Sequence, residues 1–311
     1  MKQKFDTLLE IHDLSVSFRM YDGALEQKEL KVISDLQLTV RPGEIVAVAG
    51  SSGSGKSLLA SAILGILPGN ATVRGHVHYK GEELTPERQA QLRGSEIALV
   101  PQSVAFLDPL MKVGAQADGH KRPRPTEKRR GLFRRFGLPE RTERLYPFQL
   151  SGGMARRVLV STALITGAEL IIADEPTPGM SLEQALEALA MFREMANAGK
   201  AVILITHDID LAFEFADHVA VFYAGTTVET APAADFRMGP DALRHPYSKA
   251  LWRALPQNGF VPIDGFQPYA GNLPEGCLFA PRCPYATEEC RKRIPPTTEL
   301  RGGEVRCFHA T

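Results

Sequence analysis

The chain has 311 residues, enough for one large domain with an appendage or for two domains. Its 36 basic residues balance 36 acidic residues, so no net charge directs it towards nucleic acid or acidic substrates. Hydrophobic residues make up 44% of the sequence, as in ordinary globular proteins, and the longest apolar stretches are too short to span a membrane. The N-terminal residues lack an apolar signal-peptide core, which predicts a chain that is made and kept in the cytoplasm.

Strands are predicted at residues 8–11, 14–18 and 32–40, and a further apolar run, 44–49, leads into a glycine-rich turn. With the apolar helix pattern that follows, this turn fits the phosphate-binding motif G-x-x-x-x-G-K-[ST] in its required context of strand, turn and helix. The predicted nucleotide-binding residues are Gly50, Ser51, Ser52, Gly53, Ser54, Gly55, Lys56 and Ser57.

Each part of this motif has a physical role. The glycines let backbone N–H groups turn towards a phosphate, and the helix N-terminus adds its dipole. Lys56 would reach the β- and γ-phosphates, and the Ser57 hydroxyl would bind Mg²⁺. An aromatic side chain in the first strands could stack on adenine. Tyr21 and Phe18 are the candidates, and an ordinary position on a sheet surface is the alternative for each.

A strand at 97–100 leads to Gln102, whose amide is a candidate contact for Mg²⁺ and for an attacking water near the γ-phosphate. Residues 111–117 have a helical pattern. Residues 120–136 then contain eight basic side chains and one acid, Glu127. We interpret this segment as a solvated helical face over apolar residues, and a patch facing lipid headgroups or nucleic acid is the alternative.

A second anion site is predicted at Ser151, Gly152 and Gly153, which open a helix running to about residue 165. The buried strand that follows ends in two carboxylates. Asp174 suits direct or indirect Mg²⁺ coordination, and Glu175 could polarise an attacking water.

Residues 181–196 predict an amphipathic helix with Ser181 as its N-cap and Leu182, Leu186 and Leu189 on its apolar side. The next buried strand, 201–205, leads to His207, at the end of a parallel strand where ligands bind in open α/β sheets.

These motifs, in this order over residues 8–230, closely resemble the ATP-binding subunit of ABC transporters. The residues that carry the resemblance are Walker A (50–57), the Q-loop Gln102, the signature (150–154), Walker B (170–175) and the switch histidine His207. The resemblance implies an α/β P-loop NTPase cassette, with a mixed sheet core, an antiparallel β subdomain and a helical subdomain at about 103–165. We expect the ATP-binding domain at 1–235 and a small cysteine-rich extension at 236–311.

The same resemblance implies a head-to-tail dimer that binds ATP between Walker A of one subunit and the signature of the other. Ser151, Gly152 and Gly153 would hold the γ-phosphate bound by the partner. Glu175 would be the general base, and His207 would contact the γ-phosphate. Ser181 stands where the family carries an aspartate that bonds across the dimer, so we expect one of the two ATP sites to be weaker or differently coupled.

The C-terminal residues narrow the resemblance. Residues 245–251 resemble the His-Pro-Tyr hallmark of the oligopeptide, dipeptide and nickel importer branch, and a cysteine-rich tail follows. Four clustered thiols in a cytosolic chain favour a metal site over disulfides. The resemblance makes a 4Fe–4S cluster the leading interpretation, with Zn²⁺ or free thiols as alternatives. The expected ligands are Cys277, Cys283, Cys290 and Cys307.

We therefore expect an importer ATPase that drives uptake of peptides, nickel or nickel complexes from the cytoplasmic face of the membrane. The implied partners are a second ABC ATPase subunit, identical or related, two membrane permeases and an extracytoplasmic substrate-binding protein, with no nucleic acid. One alternative is a non-transport ABC ATPase that acts as a mechanical switch on DNA or the ribosome. Another is a regulatory subunit that binds ATP but is nearly inactive.

Overall fold

The computed structural model describes residues 5–22, 26–51, 53–119 and 125–311. The strands in this part of the chain are β1 (Leu9–Asp22), β2 (Glu26–Val40), β3 (Ile45–Gly50), β4 (Ala71–Tyr79), β5 (Glu82–Glu83), β6 (Ile97–Val100), β7 (Leu170–Asp174), β8 (Ala201–Ile205), β9 (His218–Tyr223), β10 (Thr226–Pro232), β11 (Thr297–Leu300) and β12 (Gly303–Arg306).

The α-helices are α1 (Lys56–Leu64), α2 (Pro86–Leu92), α3 (Val113–Asp118), α4 (Thr126–Arg135), α5 (Gly152–Thr166), α6 (Leu182–Asn197), α7 (Ile209–Phe215), α8 (Ala233–Met238), α9 (Pro246–Arg253) and α10 (Glu288–Lys292). Short 3₁₀ helices occupy Val104–Phe106, Glu140–Arg144, Pro147–Gln149, Pro256–Asn258 and Ala280–Arg282. None of the helices in the described ranges is both long and apolar enough to cross a lipid bilayer.

A large mixed sheet forms the centre of the fold, with strand order β11-β12-β10-β9-β3-β8-β7-β6. Strands β9, β3, β8, β7 and β6 run parallel, whereas β10, β12 and β11 are antiparallel. Every residue of β3, β7 and β8 is buried, because both faces of this part of the sheet are covered. The carboxyl ends of these central strands therefore meet at one edge, where the predicted site residues follow them.

Two hydrophobic cores lie on opposite faces of the large sheet. Along β3, Ala47 and Ala49 point into a core shared with the helical subdomain and the C-terminal extension. Val46 and Val48 point into a core shared with α1 and with the smaller antiparallel sheet, whose order is β2-β1-β4-β5. This arrangement confirms the expected cassette fold with its mixed sheet and antiparallel β subdomain.

The first strands differ from the prediction in their continuity. The two predicted strands, 8–11 and 14–18, are joined in one long strand, β1, which begins at Leu9. Its pairing shifts register between Ile11 and Leu14, and Asp13 adopts a left-handed φ of 52°. The polar interruption in the sequence is therefore a β-bulge inside a strand.

The C-terminal extension completes the large sheet, which the sequence analysis did not anticipate. The hairpin β11–β12 pairs with β10 through Glu229 and Thr230. The fully buried Arg244 fixes this junction, since its guanidinium contacts Glu229 (3.3 Å) and Asp235 (2.8 Å). It also donates to the Leu300 carbonyl at 2.6 Å. These contacts pack the extension against the ATP-binding domain.

Helix α6 begins where predicted, and Ser181 caps it by accepting a hydrogen bond from the Gln184 N–H. The predicted apolar side is partly wrong. Leu189 is buried, but Leu182 is 69% exposed and Leu186 is 38% exposed. The buried residues are Ala185, Ala188, Leu189, Met191, Phe192 and Ala196. The alanines among them let the helix approach the sheet closely.

The basic segment is also only partly a solvated face. Residues 120–124 lie outside the described ranges. In α4, Phe133 is buried as predicted, but so is Arg129, which pairs with buried Asp118 and with Glu143 (2.9 Å). Hydrogen bonding from Arg129 lowers the pKa of Glu143. This arginine therefore fixes α3 and α4 to each other instead of facing solvent.

We expect Arg129→Met to lower the free energy of unfolding by about 3–5 kcal/mol, because it leaves the buried Asp118 carboxylate without its counterion. Arg134→Met, an exposed position on the same helix, is the matched control and should cost less than about 0.5 kcal/mol. Urea denaturation of both variants checks this. Equal midpoints for the two variants would show that the buried pair is unimportant.

Candidate active site

The glycine-rich turn joins β3 to α1 and wraps around the amine of Lys56. The Lys56 Nζ donates to the carbonyl oxygens of Gly50 (2.8 Å) and Ser51 (2.9 Å). A Cβ atom on Gly50 would lie 2.3 Å from the Phe222 carbonyl oxygen, so only glycine fits there. Burial lowers the pKa of Lys56, and the charges of Glu175 and Asp174 at the end of β7 oppose that shift. Ser52, one of the predicted binding residues, lies outside the described residues.

The Ser57 hydroxyl donates to Asp174 across 3.2 Å, which brings the start of α1 to the end of β7. Burial raises the pKa of Asp174, while the hydrogen bond from Ser57 lowers it. A hydroxyl and a carboxylate are hard oxygen ligands of the kind Mg²⁺ prefers. The residues present thus fit the magnesium ion that accompanies a bound nucleotide.

Glu175 lies between side chains that come from two other strand ends. Its carboxylate accepts a hydrogen bond from Gln102 (3.0 Å), after β6, and its other oxygen lies 3.3 Å from His207 Nδ1, after β8. Glu175 has a left-handed φ of 45°. Such a backbone costs about 1–3 kcal/mol in a residue other than glycine and persists where the surrounding contacts hold it, as in many active sites.

The signature residues form the start of α5. Ser151 caps the helix by accepting from the Met154 N–H at 3.3 Å, and a Cβ on Gly153 would lie 2.9 Å from the Gly179 carbonyl oxygen. Ser151 and Gly152 are exposed. Within the described ranges, no hydrogen bond or ion pair joins residues 151–153 to the glycine-rich turn of the same chain.

The two aromatic candidates differ in exposure. Tyr21 is 72% exposed near the end of β1, where its hydroxyl accepts from Gln27 at 3.3 Å. Phe18 is partly buried against the core between the two sheets. Only Tyr21 therefore presents most of its ring to a ligand.

Three residues that interact at this site, Arg156, Gln267 and Tyr247, were not predicted from the sequence. Arg156 in α5 is buried and donates a hydrogen bond to the Pro101 carbonyl (2.9 Å). It also interacts electrostatically with Glu175 and Asp174 at the end of β7. Ser51 is bound by Gln267 of the C-terminal extension and interacts with Tyr247. Tyr247 lies in the His-Pro-Tyr pattern of residues 245–251, but nothing in the sequence indicated that it interacts with the nucleotide-binding turn.

The four cysteines lie close together in the tail without forming a metal-binding group. Cys290 is buried and the other three are half-buried. Burial raises the pKa of Cys307 to about 11, with a contribution from the other three thiols, and the His309 N–H lies 3.3 Å from its sulfur. Among the described residues, however, no three His, Cys, Asp or Glu side chains are arranged as metal ligands. The expectation of an iron–sulfur or zinc site is therefore not supported by this arrangement.

Comparison with known proteins identifies the family to which the chain belongs. Residues 33–178 match the ABC transporter family, and residues 228–290 match the C-terminal region of the oligopeptide/dipeptide transporter family. The oligopeptide transport ATP-binding protein OppD of Salmonella typhimurium is 34% identical over 98% of this chain and 95% of its own length. The chain belongs to the ABC transporter family. The dipeptide transport ATP-binding protein DppD of Escherichia coli is likewise 34% identical, over 97% of this chain and 96% of its own.

Solved ABC structures share the fold. An ADP- and phosphate-bound dimer of an ATP-binding cassette superimposes with a TM-score of 0.64 at 23% identity, over 73% of this chain and 99% of that one. The ATP-binding subunit of an ABC transporter gives a TM-score of 0.61 at 26% identity, over 74% and 92%. As an ABC transporter ATPase, the chain has the cassette that binds and hydrolyses ATP.

Proposed function

We propose that this chain is the ATP-hydrolysing subunit of an ABC importer that takes up peptides. The observation that carries the proposal is its similarity, over nearly the whole chain, to the ATP-binding proteins of oligopeptide and dipeptide transport. Nickel uptake is the second candidate, because the His-Pro-Tyr pattern of residues 245–251 also resembles that of nickel importers.

In this proposal the site residues act on ATP and on a water molecule. Lys56 and the backbone of the glycine-rich turn hold the phosphates, and Tyr21 stacks on adenine. Glu175 takes a proton from the attacking water, while Gln102 and His207, which both contact its carboxylate, orient it towards the γ-phosphate. Ser57, Asp174 and Gln102 would hold Mg²⁺, which neutralises charge on the phosphates. Positioning and electrostatic stabilisation then supply most of the acceleration.

A second subunit completes each site. The exposed N-terminus of α5, with Ser151, Gly152 and Gly153, binds the γ-phosphate held by the partner. The exposure of this helix end supports that role. Among the residues that the structure describes, residues 151–153 make no hydrogen bond or ion pair with the glycine-rich turn of their own chain. The partner is either a copy of this chain or a related ATPase. If it is a related ATPase that carries the aspartate, Ser181 makes the two sites unequal.

Permease subunits dock next to Gln102 in this proposal. Exposed apolar side chains follow that residue, including Phe106 at 67% and Leu110 at 87% exposure. Exposed apolar clusters of this kind mark protein contacts.

The chain would then work at the cytoplasmic face of the membrane, as a peripheral subunit, with an extracytoplasmic binding protein delivering the peptide. The ATP-binding domain spans 1–235, its helical subdomain about 103–165, and the extension 236–311.

Co-purification tests these partners. A tagged full-length chain, extracted in mild detergent, should bring down two permeases and a second ABC ATPase, identified by mass spectrometry. Recovery with ribosomes or DNA instead would favour a non-transport ABC ATPase. Iron, sulfide and zinc analysis of the same sample tests whether the cysteines of the tail hold a 4Fe–4S cluster or Zn²⁺, and a metal-free sample would leave them as free thiols.

A further inference from the structure

The C-terminal extension contacts the nucleotide-binding turn directly. Ser51 Oγ donates to Gln267 Oε1 at 2.5 Å, joining residues that are 216 positions apart in the sequence. Ser51 also interacts with the almost fully buried Tyr247, where burial raises the tyrosine pKa and hydrogen bonding to Ser51 opposes the rise. Two residues of the extension, Gln267 and Tyr247, thus act on the same serine of the turn.

Ser51 is well placed to transmit this contact to the phosphate site. Its carbonyl oxygen accepts one of the two hydrogen bonds that hold the Lys56 amine. Any movement of Ser51 therefore moves an acceptor that fixes the lysine. The side chain and the backbone of Ser51 link Gln267 to Lys56 through a single residue.

The two residues that hold Ser51 are themselves anchored beside the cysteines. Arg282, which precedes Cys283, donates to the carbonyl oxygens of Ile263 (2.9 Å) and Asp264 (2.7 Å), just before Gln267. The ring centroids of Phe279 and Tyr247 lie 5.3 Å apart. A continuous set of contacts therefore runs from the cysteine-bearing segment to the nucleotide-binding turn.

We propose that the extension holds the nucleotide-binding turn in its phosphate-binding conformation through Ser51, with Gln267 and Tyr247 as positioning residues. Two fixed partners reduce the conformational freedom that Ser51 must lose when a phosphate binds. By thermodynamic linkage, bound nucleotide must in turn stabilise the segment that carries the cysteines. The extension and the ATP site are then coupled in both directions. This coupling concerns nucleotide binding by the chain alone, so it does not depend on the cargo or on transport.

Titration calorimetry with Mg-ADP on the full-length chain tests the proposal. Gln267→Ala and Tyr247→Phe should each raise the Kd about two- to tenfold, the equivalent of one net hydrogen bond. Gln257→Ala is the matched control, because this exposed glutamine of the extension bonds to Asp210 and not to the turn. Gln267→Ala should have no further effect in a Ser51→Ala background, since the hydroxyl through which it acts is gone.

Two further measurements separate positioning from folding. The thermal midpoint of Tyr247→Phe should fall by no more than about 4 °C, the loss expected for one hydrogen bond, because the variant keeps the buried ring. Mg-ADP should slow amide hydrogen exchange in residues 276–290 of the wild type, and Gln267→Ala should remove that difference. Unchanged Kd values in both variants, an equal rise in Gln257→Ala, additive effects with Ser51→Ala, or unaltered exchange differences in Gln267→Ala would overturn the proposal.

Discussion

Glu175→Gln is expected to abolish ATP turnover, with a loss of about 10²- to 10⁴-fold, while nucleotide binding persists. The amide has the same shape as the carboxylate and can still accept the hydrogen bond from Gln102, so the geometry around residue 175 is kept. It cannot take a proton from water. Because ATP then stays bound, the dimer should remain closed, which size-exclusion chromatography with ATP would detect.

Glu183→Gln is the matched control for this experiment, since Glu183 is an exposed carboxylate in the first turn of α6. It should hydrolyse ATP at the wild-type rate. Hydrolysis is best measured in single turnover on the assembled complex, where product release does not limit the rate. Normal turnover by Glu175→Gln would mean that another group acts as the base.

Lys56→Ala is expected to weaken ATP binding by about 1.5–3 kcal/mol, or roughly ten- to a hundredfold in Kd. The variant removes a charged donor whose amine lies at the centre of the glycine-rich turn, where it also holds the Gly50 and Ser51 carbonyls. Both effects reduce phosphate binding, since the charge is lost and the turn loses its internal support.

Fluorescence titration with a labelled ATP analogue measures this loss. Lys112→Ala, which removes an exposed lysine before α3, is the control and should leave the Kd unchanged. Thermal denaturation should show that Lys56→Ala remains folded, because Lys56 belongs to neither hydrophobic core. An unchanged Kd for Lys56→Ala would contradict the assignment of the phosphate site.

Local patterns predicted which residues lie at the carboxyl edge of the parallel strands, for a physical reason. The turn at 50–57 and the carboxylates at Asp174 and Glu175 each depend on a few neighbouring residues. Parallel strands bring their carboxyl ends together wherever such strands occur. The sequence could therefore indicate that Gln102, Glu175 and His207 would lie near each other, although the three positions are far apart in the chain.

Long-range contacts were not predictable in the same way. The partners of Ser51 lie about two hundred residues away, and neither glutamine nor tyrosine carries a spacing that points to the turn. The pairing of β12 with β10 depends on where the extension folds back. The buried face of α6 was misjudged because leucines at helical spacing appear more apolar than the alanines that pack against the sheet.

The most direct test of the proposed importer function is peptide accumulation by the reconstituted complex. Proteoliposomes that contain this chain, its co-purified permeases and the binding protein would be given ATP and a labelled oligopeptide. We predict ATP-dependent accumulation of the peptide by the wild type and none by Glu175→Gln. Peptide accumulation that proceeds equally with Glu175→Gln, or no peptide accumulation by a wild-type complex that hydrolyses ATP, would contradict the account.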